Sequence, residues 1–201
     1  MSLRSFKIEL KLNKTQSVLC AKSAGTSRFA FNRKLKELSE SYKRAKIDAI
    51  EQGLKKPKCK FGTSIDWHKE WVLLKSTKGY KWIKETSKCC GQEALRDLEV
   101  AFKRFFAQKS GYPRFKKHGE KDSFRLTGII KVGPDWIQLP TFGKIKLKEK
   151  GYVVSEGVLR VSQATVKRQV DRWFVSFVID DGSQDQPLAD LTSINIEDIV
   201  S

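Results

Sequence analysis

The stretch Cys89–Arg125, CCGQEALRDLEVAFKRFFAQKSGYPRFKKHGEKDSFR, separates a helical region before it from a strand-rich region after it. Its first half has one apolar face at helical spacing, formed by Leu95, Leu98, Phe102 and Phe105. This pattern predicts a helix that begins near Glu85 and is stopped by Gly111 and Pro113, with Phe102, Phe105 and Phe106 mostly in the core. The second half is a basic loop containing PRFKK.

The region before this stretch begins with a predicted strand. In residues 4–12, RSFKIELKL, apolar and polar side chains alternate with the period of a half-buried strand. A helical pattern follows from Gln16, which Gly25 is expected to interrupt, so that a second helix runs from about Thr26 to about Gln52. That second helix has an apolar stripe formed by Phe31, Leu35, Leu38 and Tyr42.

The region after this stretch alternates with period two and is interrupted by close turns. Strands are predicted over residues 124–132, 136–139, 144–148, 158–170 and 173–180, with a hairpin turn at Asp171-Arg172. We therefore expect an α+β fold, in which a small antiparallel β-barrel is interrupted by a helical insertion. The expected division is 1–14 for the first barrel strand, 15–118 for the insertion, 119–182 for the rest of the barrel and 183–201 for an acidic linker.

The charge of the chain points to a polyanionic partner. Forty Lys and Arg face 23 Asp and Glu, a net charge of +17, and residues 183–201 contain no Lys or Arg. A folded domain this basic usually binds nucleic acid, because phosphate contacts release condensed counterions. The alternative is a surface charged for solubility.

No stretch is apolar enough to span a membrane, and the chain is expected to be cytoplasmic and nucleoid-associated.

Motifs of catalysis and metal binding are missing from the sequence. There is no P-loop, GxSxG, HExxH or paired-histidine nuclease motif, and the four cysteines make no CxxC pair. Asp180, Asp181 and Asp185 form an acidic group at a strand end, for which a turn is a better interpretation than a metal site. The residues alone therefore predict a nucleic-acid-binding protein with no catalytic residues and no metal.

Several motifs resemble the N-terminal half of TnpB/OrfB-type proteins, the transposon-encoded RNA-guided nucleases related to type V CRISPR effectors. Near the start these are Gln16, Leu19, Gly25 and RFxxN from Arg28 to Asn32. Further motifs are QxxLxxL from Gln92, GYPRFKK from Gly111, Ser123-Phe124 and Leu139-Pro140. The resemblance implies that the barrel is a wedge domain and the insertion a recognition domain, which bind guide RNA and target DNA.

The resemblance also implies roles for individual residues. A short motif beside the target would be read by Ser64, Lys88, Gln92 and Arg125, since glutamine pairs well with adenine and arginine or lysine with guanine. The remaining basic and polar positions would contact the nucleic-acid backbone: Arg28, Asn32, Arg33, Lys34, Arg96, Lys103, Arg104, Arg114, Lys116, Lys117, Lys144 and Lys146.

In the family a RuvC nuclease domain follows the barrel, and here the acidic linker is followed only by Asp198-Ile199-Val200-Ser201. We therefore expect binding without cleavage, with Mg²⁺ needed only by a RuvC domain that is missing or supplied in trans by another chain. A guide-independent DNA- or RNA-binding protein derived from a transposon gene, such as a repressor or RNA chaperone, is the alternative.

Overall fold

The computed structural model describes residues 3–55, 59–153 and 156–180. Asp181, Asp185 and the predicted linker at 183–201 lie outside the described residues. The helical region consists of α1 (Lys14–Glu51), α2 (Ser64–Leu74), a 3₁₀ helix (Lys78–Glu85) and α3 (Lys88–Phe106). The strands are β1 (Leu3–Lys11), β2 (Ser123–Val132), β3 (Trp136–Leu139), β4 (Gly143–Leu147), β5 (Leu159–Gln169) and β6 (Arg172–Asp180).

The six strands form a closed antiparallel barrel in the order β1-β4-β3-β2-β5-β6. β1 pairs with β6 from Leu3–Asp180 to Glu9–Phe174, and its last residues pair with β4. The first strand of the chain thus joins the two ends of the later sheet, with all the helices inserted between β1 and β2. This confirms the predicted α+β fold and its interrupted barrel.

Alternation along the strands produces the barrel core, because successive side chains point to opposite faces of a sheet. Ile8 on β1, Ile137 on β3 and Ile145 on β4 are almost completely buried, whereas Lys7 beside Ile8 and Lys144 and Lys146 beside Ile145 are exposed. In β2 the register shifts between Thr127 and Ile130, and Gly128 there has a φ of 119° that glycine adopts readily.

The helix that follows β1 is one continuous element, contrary to the prediction that Gly25 interrupts it. Asn13 and Gln16 form a capping box at its start, and Gln16 also donates a hydrogen bond to the Lys144 carbonyl of β4 at 3.1 Å. Ala24 and Thr26 on either side of the glycine are buried. Tertiary packing therefore outweighs the low helix propensity of one glycine.

Two hydrophobic cores meet along α1. Cys20 and Ala24 pack into the barrel core together with Cys89 and Cys90 from the start of α3. The later part of α1 belongs to a separate helical core, which contains Phe31, Leu35, Leu38, Trp67, Trp71, Ile83, Leu95, Leu98 and Phe102. The helices are consequently fixed to the barrel at one end and packed against one another at the other.

The predicted limits of α3 were wrong at both ends. The residues from Lys78 to Glu85 form a 3₁₀ helix, and α3 begins only after Ser87, whose hydroxyl caps it. The helix ends at Phe106, and Gln108 takes a left-handed φ of 57° before Gly111 is reached. Phe106 is 52% exposed and only edges the core, so its prediction as a core residue was also wrong.

The β5–β6 turn consists of Val170 and Asp171, one residue earlier than predicted, because Gln169 pairs with Arg172. Val170 has a φ of 56° and is 93% exposed. A β-branched residue is strained in this left-handed conformation, and two-residue hairpins favour Asn or Gly there. The turn therefore carries backbone strain without any gain from burial.

We predict that Val170→Asn raises the free energy of unfolding by about 1 kcal/mol, because asparagine tolerates the left-handed region. Urea unfolding followed by circular dichroism would measure the change. The matched control is Val178→Asn on β6, where the backbone is extended and the same exchange should destabilise. A Val170→Asn protein that is no more stable than the parent would contradict this interpretation of the turn.

Candidate nucleic-acid interface

The outward face of α3 carries several of the predicted nucleic-acid contacts. Leu95, Leu98 and Phe102 are buried on its inner face, which fixes the rotation of the helix. Gln92 and Arg96 are then one turn apart on the outer face. Gln92 is half-buried and Arg96 is exposed. This face can present an amide and a guanidinium side by side to a ligand.

One border of this face is formed by the start of α2. The Ser64 backbone N–H donates to Oε2 of Glu99 at 3.2 Å, and the Lys103 ammonium contacts the same carboxylate at 2.8 Å. These two interactions, the lysine first, hold the pKa of Glu99 below its ordinary value. Ser64 therefore lies beside α3, and both its hydroxyl and its backbone N–H contribute to lowering the pKa of Glu99.

The opposite border is formed by β2. Nη2 of Arg125 lies 3.0 Å from Oδ1 of Asp97, and its other terminal nitrogen lies 4.0 Å from Glu93. Glu93 is 3% exposed and also pairs with Arg96 at 2.9 Å. The two acidic residues hold both guanidinium groups in fixed orientations. Neither acidic residue was predicted, although the Glu93–Arg96 spacing of three residues on one helix is a recognisable signal for such a pair.

Lys88 is the first residue of α3, and it belongs to a second basic cluster that was not predicted. Burial, together with the charges of nearby Lys84 and Lys88, lowers the pKa of Lys75. All three lysines line one cavity of about 200 Å³ beside Trp71. Lys88 and Gln92 are also one turn apart, so the cluster adjoins the outer face of α3. Positive charge therefore continues from that face to the start of the helix.

The PRFKK loop is held on α1 by three of the predicted backbone-binding residues. The Asn32 side chain donates to the Lys116 carbonyl and accepts from its N–H, both at 2.8 Å. Nη1 of Arg28 lies 2.6 Å from Oδ1 of Asp122 at the end of the same loop. Lys116 Nζ lies 4.3 Å from the centre of the Phe31 ring, and burial lowers the pKa of Lys116. Arg28, Asn32 and Lys116 thus make internal contacts.

Lys34 also faces the interior of the helical region. It is 6% exposed, and its ammonium contacts Glu37 at 2.8 Å and Glu70 at 2.5 Å. The ammonium additionally lies 5.9 Å from the centre of the Trp67 ring. The charge of Lys34 is satisfied within the fold, although Lys34 was predicted to contact the nucleic-acid backbone.

The other predicted backbone-binding residues are exposed on the outside of the molecule: Arg33, Lys103, Arg104, Arg114, Lys117, Lys144 and Lys146. Four of them have aromatic or acidic neighbours, among them Lys103, whose contact with Glu99 is described above. Arg33 lies over Tyr80, Lys117 pairs with Glu120 at 3.2 Å, and Lys144 lies over Trp136. An exposed pair such as that of Lys117 contributes little to folding, so its lysine can exchange the carboxylate for a phosphate.

Metal ligands do not assemble in the described part of the chain. Within residues 3–55, 59–153 and 156–180, no three His, Cys, Asp or Glu side chains are grouped so that they could hold a metal ion. Cys20, Cys59, Cys89 and Cys90 are free thiols. No helix among these residues is long and apolar enough to cross a membrane.

Comparison with known proteins supports the relationship expected from the motifs. InsQ of Escherichia coli (strain K12), which is described as an RNA-guided DNA endonuclease, is 31% identical over 176 residues. The match covers 87% of this chain and 40% of the length of InsQ. The family model HTH_OrfB_IS605, described as a helix-turn-helix domain, matches residues 1–46.

The chain is a relative of the TnpB/OrfB-type proteins. The segment that matches the helix-turn-helix model does not contain two helices joined by a turn in its described part. Between residues 3 and 46 it contains β1 and the first part of the uninterrupted α1. The described part of this segment therefore has a strand followed by one helix, and the strand pairs with β4 and β6 of the barrel.

We predict a large effect on stability for one arginine of the loop region and almost none for another. Arg28→Gln should lower the free energy of unfolding by roughly 3 kcal/mol, because the Asp122 side chain is only 8% exposed and loses its partner. Arg114→Gln should change it by less than about 0.5 kcal/mol, because Arg114 is exposed. Urea unfolding of both proteins measures this, and equal stabilities would show that the Arg28 ion pair does not hold the loop.

Proposed function

We propose that this chain binds guide RNA and target DNA and reads a short motif beside the target through the outer face of α3. The observation that carries the proposal is the assembly of Lys88, Gln92 and Arg125 around one helix. They come from the start of α3, from its second turn and from β2, with Arg125 oriented by Asp97 at 3.0 Å. InsQ, the relative described above, supports the guided character of the binding.

The chemistry of these side chains suits the edges of base pairs. A glutamine amide can donate to N6 and accept at N7 in a manner that selects adenine, and lysine or arginine selects guanine. α3 has 19 residues and presents Gln92 in its second turn. A helix of this kind can enter the major groove, where each base pair has its own pattern of donors and acceptors. Ser64, one border of this face, is a further candidate reader.

The internal contacts revise the proposed set of phosphate-binding residues. We retain the exposed cations for this role: Arg33, Arg96, Lys103, Arg104, Arg114, Lys117, Lys144 and Lys146. Arg28, Asn32, Lys34 and Lys116 instead hold α1, α2 and the PRFKK loop together. Withdrawing any of these four from its partner would leave a poorly solvated polar group or charge, which is costly.

The described residues have no proposed catalytic role. In this proposal cleavage carboxylates and their Mg²⁺ belong to a RuvC domain, joined to this region or supplied by another chain. The binding of DNA implies association with the nucleoid. The share of InsQ that the match covers leaves room for such a domain, since 60% of InsQ lies outside it.

We predict that Gln92→Ala and Lys103→Ala weaken DNA binding in different ways. Without the Gln92 amide, discrimination between motif sequences should fall about tenfold, the value of one good base contact. Without the Lys103 ammonium, all sequences should bind more weakly and the salt slope should fall by about one. Binding of a randomised DNA library at several salt concentrations measures both, and a uniform loss for Gln92→Ala would contradict motif reading.

Guide-independent binding is the second candidate, favoured by the high positive charge alone. Electrophoretic mobility shifts of duplex DNA distinguish the two functions when run with and without RNA transcribed from the region flanking the gene. The guided function predicts that this RNA increases affinity for matching duplex and leaves affinity for unmatched duplex unchanged. If the RNA adds nothing, guided binding is excluded and the guide-independent function is supported.

A further inference from the structure

Gly25 lies in the middle of a helix in which no internal contact requires glycine. A Cβ built on Gly25 would have Nη2 of Arg28, at 3.9 Å, as its nearest neighbour. Gly91 in α3 is different, because a Cβ there would lie 2.4 Å from the Trp71 ring. Glycine weakens a helix relative to alanine, and it is used where a ligand must approach the backbone closely. Gly25 therefore marks a place where a ligand could approach the α1 backbone.

Gly25 and Arg28 line two cavities, of about 450 Å³ and about 350 Å³, which are consequently neighbours along α1. Together they form what we name the Gly25 groove. Side chains of the 3₁₀ helix complete one cavity, and the PRFKK loop completes the other. The lining residues that bear on its chemistry are Lys22, Arg33, Lys36, Trp82, Glu85 and Phe115.

Exposed aromatic rings stand at both parts of the groove. Phe115 is 54% exposed in one cavity, and Trp82 is 40% exposed in the other. The Trp82 ring packs edge-on against Phe29 with 5.3 Å between their centres, which holds it in place. An aromatic ring left partly in water beside a cavity can stack on a planar ligand.

The charges of the groove are predominantly positive. Arg33 and Lys36 line the groove. Lys36 makes a long, exposed ion pair with Glu40, with 4.0 Å between the ammonium and the carboxylate. Glu85 is the one carboxylate in the lining of the two cavities, and Lys22 pairs with it at 2.6 Å. Arg28 is engaged by Asp122. Arg33 and Lys36 therefore supply cations that the lining carboxylate does not neutralise.

We propose that the Gly25 groove holds an unpaired stretch of RNA, with bases against Phe115 and Trp82 and phosphates beside Arg33 and Lys36. Aromatic platforms combined with cations along a groove bind single strands, whose base faces are open, in preference to duplexes, whose bases are already stacked. The inference rests on the proposed function, in which the guide is the strand that is unpaired before DNA binds. Glycine at position 25 lets the strand lie close to the α1 backbone.

The test fills the groove without disturbing the fold. Gly25→Leu adds a side chain to the groove floor, and leucine favours helix more than glycine does, so the melting temperature should be unchanged or higher. Fluorescence anisotropy with a labelled oligouridine of about 12 nucleotides should show at least roughly tenfold weaker binding. Ser41→Leu is the matched control on the same helix, because Ser41 is exposed and outside the groove lining, and it should bind as the parent does.

A second variant tests the groove independently in case the Gly25→Leu protein does not fold. Phe115→Ala removes an exposed ring and should weaken oligouridine binding about tenfold with an unchanged melting temperature. Folded Gly25→Leu and Phe115→Ala proteins that bind like the parent would overturn the groove while leaving the proposed function intact. A parent protein that binds no RNA would overturn the proposed function as well.

Two further probes separate the alternatives. An oligothymidine of equal length should bind more weakly than oligouridine. If it binds equally well, and if Gly25→Leu and Phe115→Ala both abolish that binding, the assignment to RNA is overturned in favour of single-stranded DNA. A duplex RNA of equal length should be insensitive to Gly25→Leu. A duplex that binds more tightly than oligouridine and is equally impaired by the substitution would overturn the claim that the strand is unpaired.

Discussion

The pairing of β1 with β6 is the constraint on which the remaining architecture depends. Backbone groups of an edge strand need partners, and β1 supplies them to β6 along seven residue pairs and to β4 at its end. Because β1 comes first and β6 last among the described strands, the barrel closes only when the two ends of this region meet. Everything inserted between β1 and β2 must therefore begin and end at the barrel, which places the helical region beside it.

Two connections turn this topological constraint into a rigid arrangement. Gln16 ties the start of α1 to β4, and the buried Cys20, Cys89 and Cys90 join α1 and the start of α3 to the barrel core. α3 then crosses from that core to the helical one, so its rotation is set at both ends. In the proposed function, a helix fixed in this way would hold Gln92 within the tolerance that base contacts require.

Some of the positively charged side chains pair with carboxylates inside the molecule, and others are exposed on its surface. Lys34 and Arg28 are largely buried and pair with carboxylates inside the molecule, whereas Arg125 stays partly exposed while Asp97 orients it. The cations of the outer surface have weak or exposed partners, and their charge remains available to phosphates. A net charge of +17 by itself could not distinguish these groups, because the distinction depends on burial and on which carboxylate is near.

Period-two and helical patterns in the sequence predicted most of the elements and the interrupted α+β barrel, because local periodicity reflects which face of each element is buried. Short motifs such as GYPRFKK carried the family resemblance. The limits of α3 and the continuity of α1 through Gly25 were decided by tertiary packing, which outweighs the propensity of single glycines and prolines. At Cys89–Arg125 the sequence indicated a basic, helix-to-strand junction. Only the tertiary structure decided that Arg125 is held by Asp97 and Glu93 and that Asn32 clamps Lys116, since these contacts depend on the packing of α3 against β2 and of the PRFKK loop against α1.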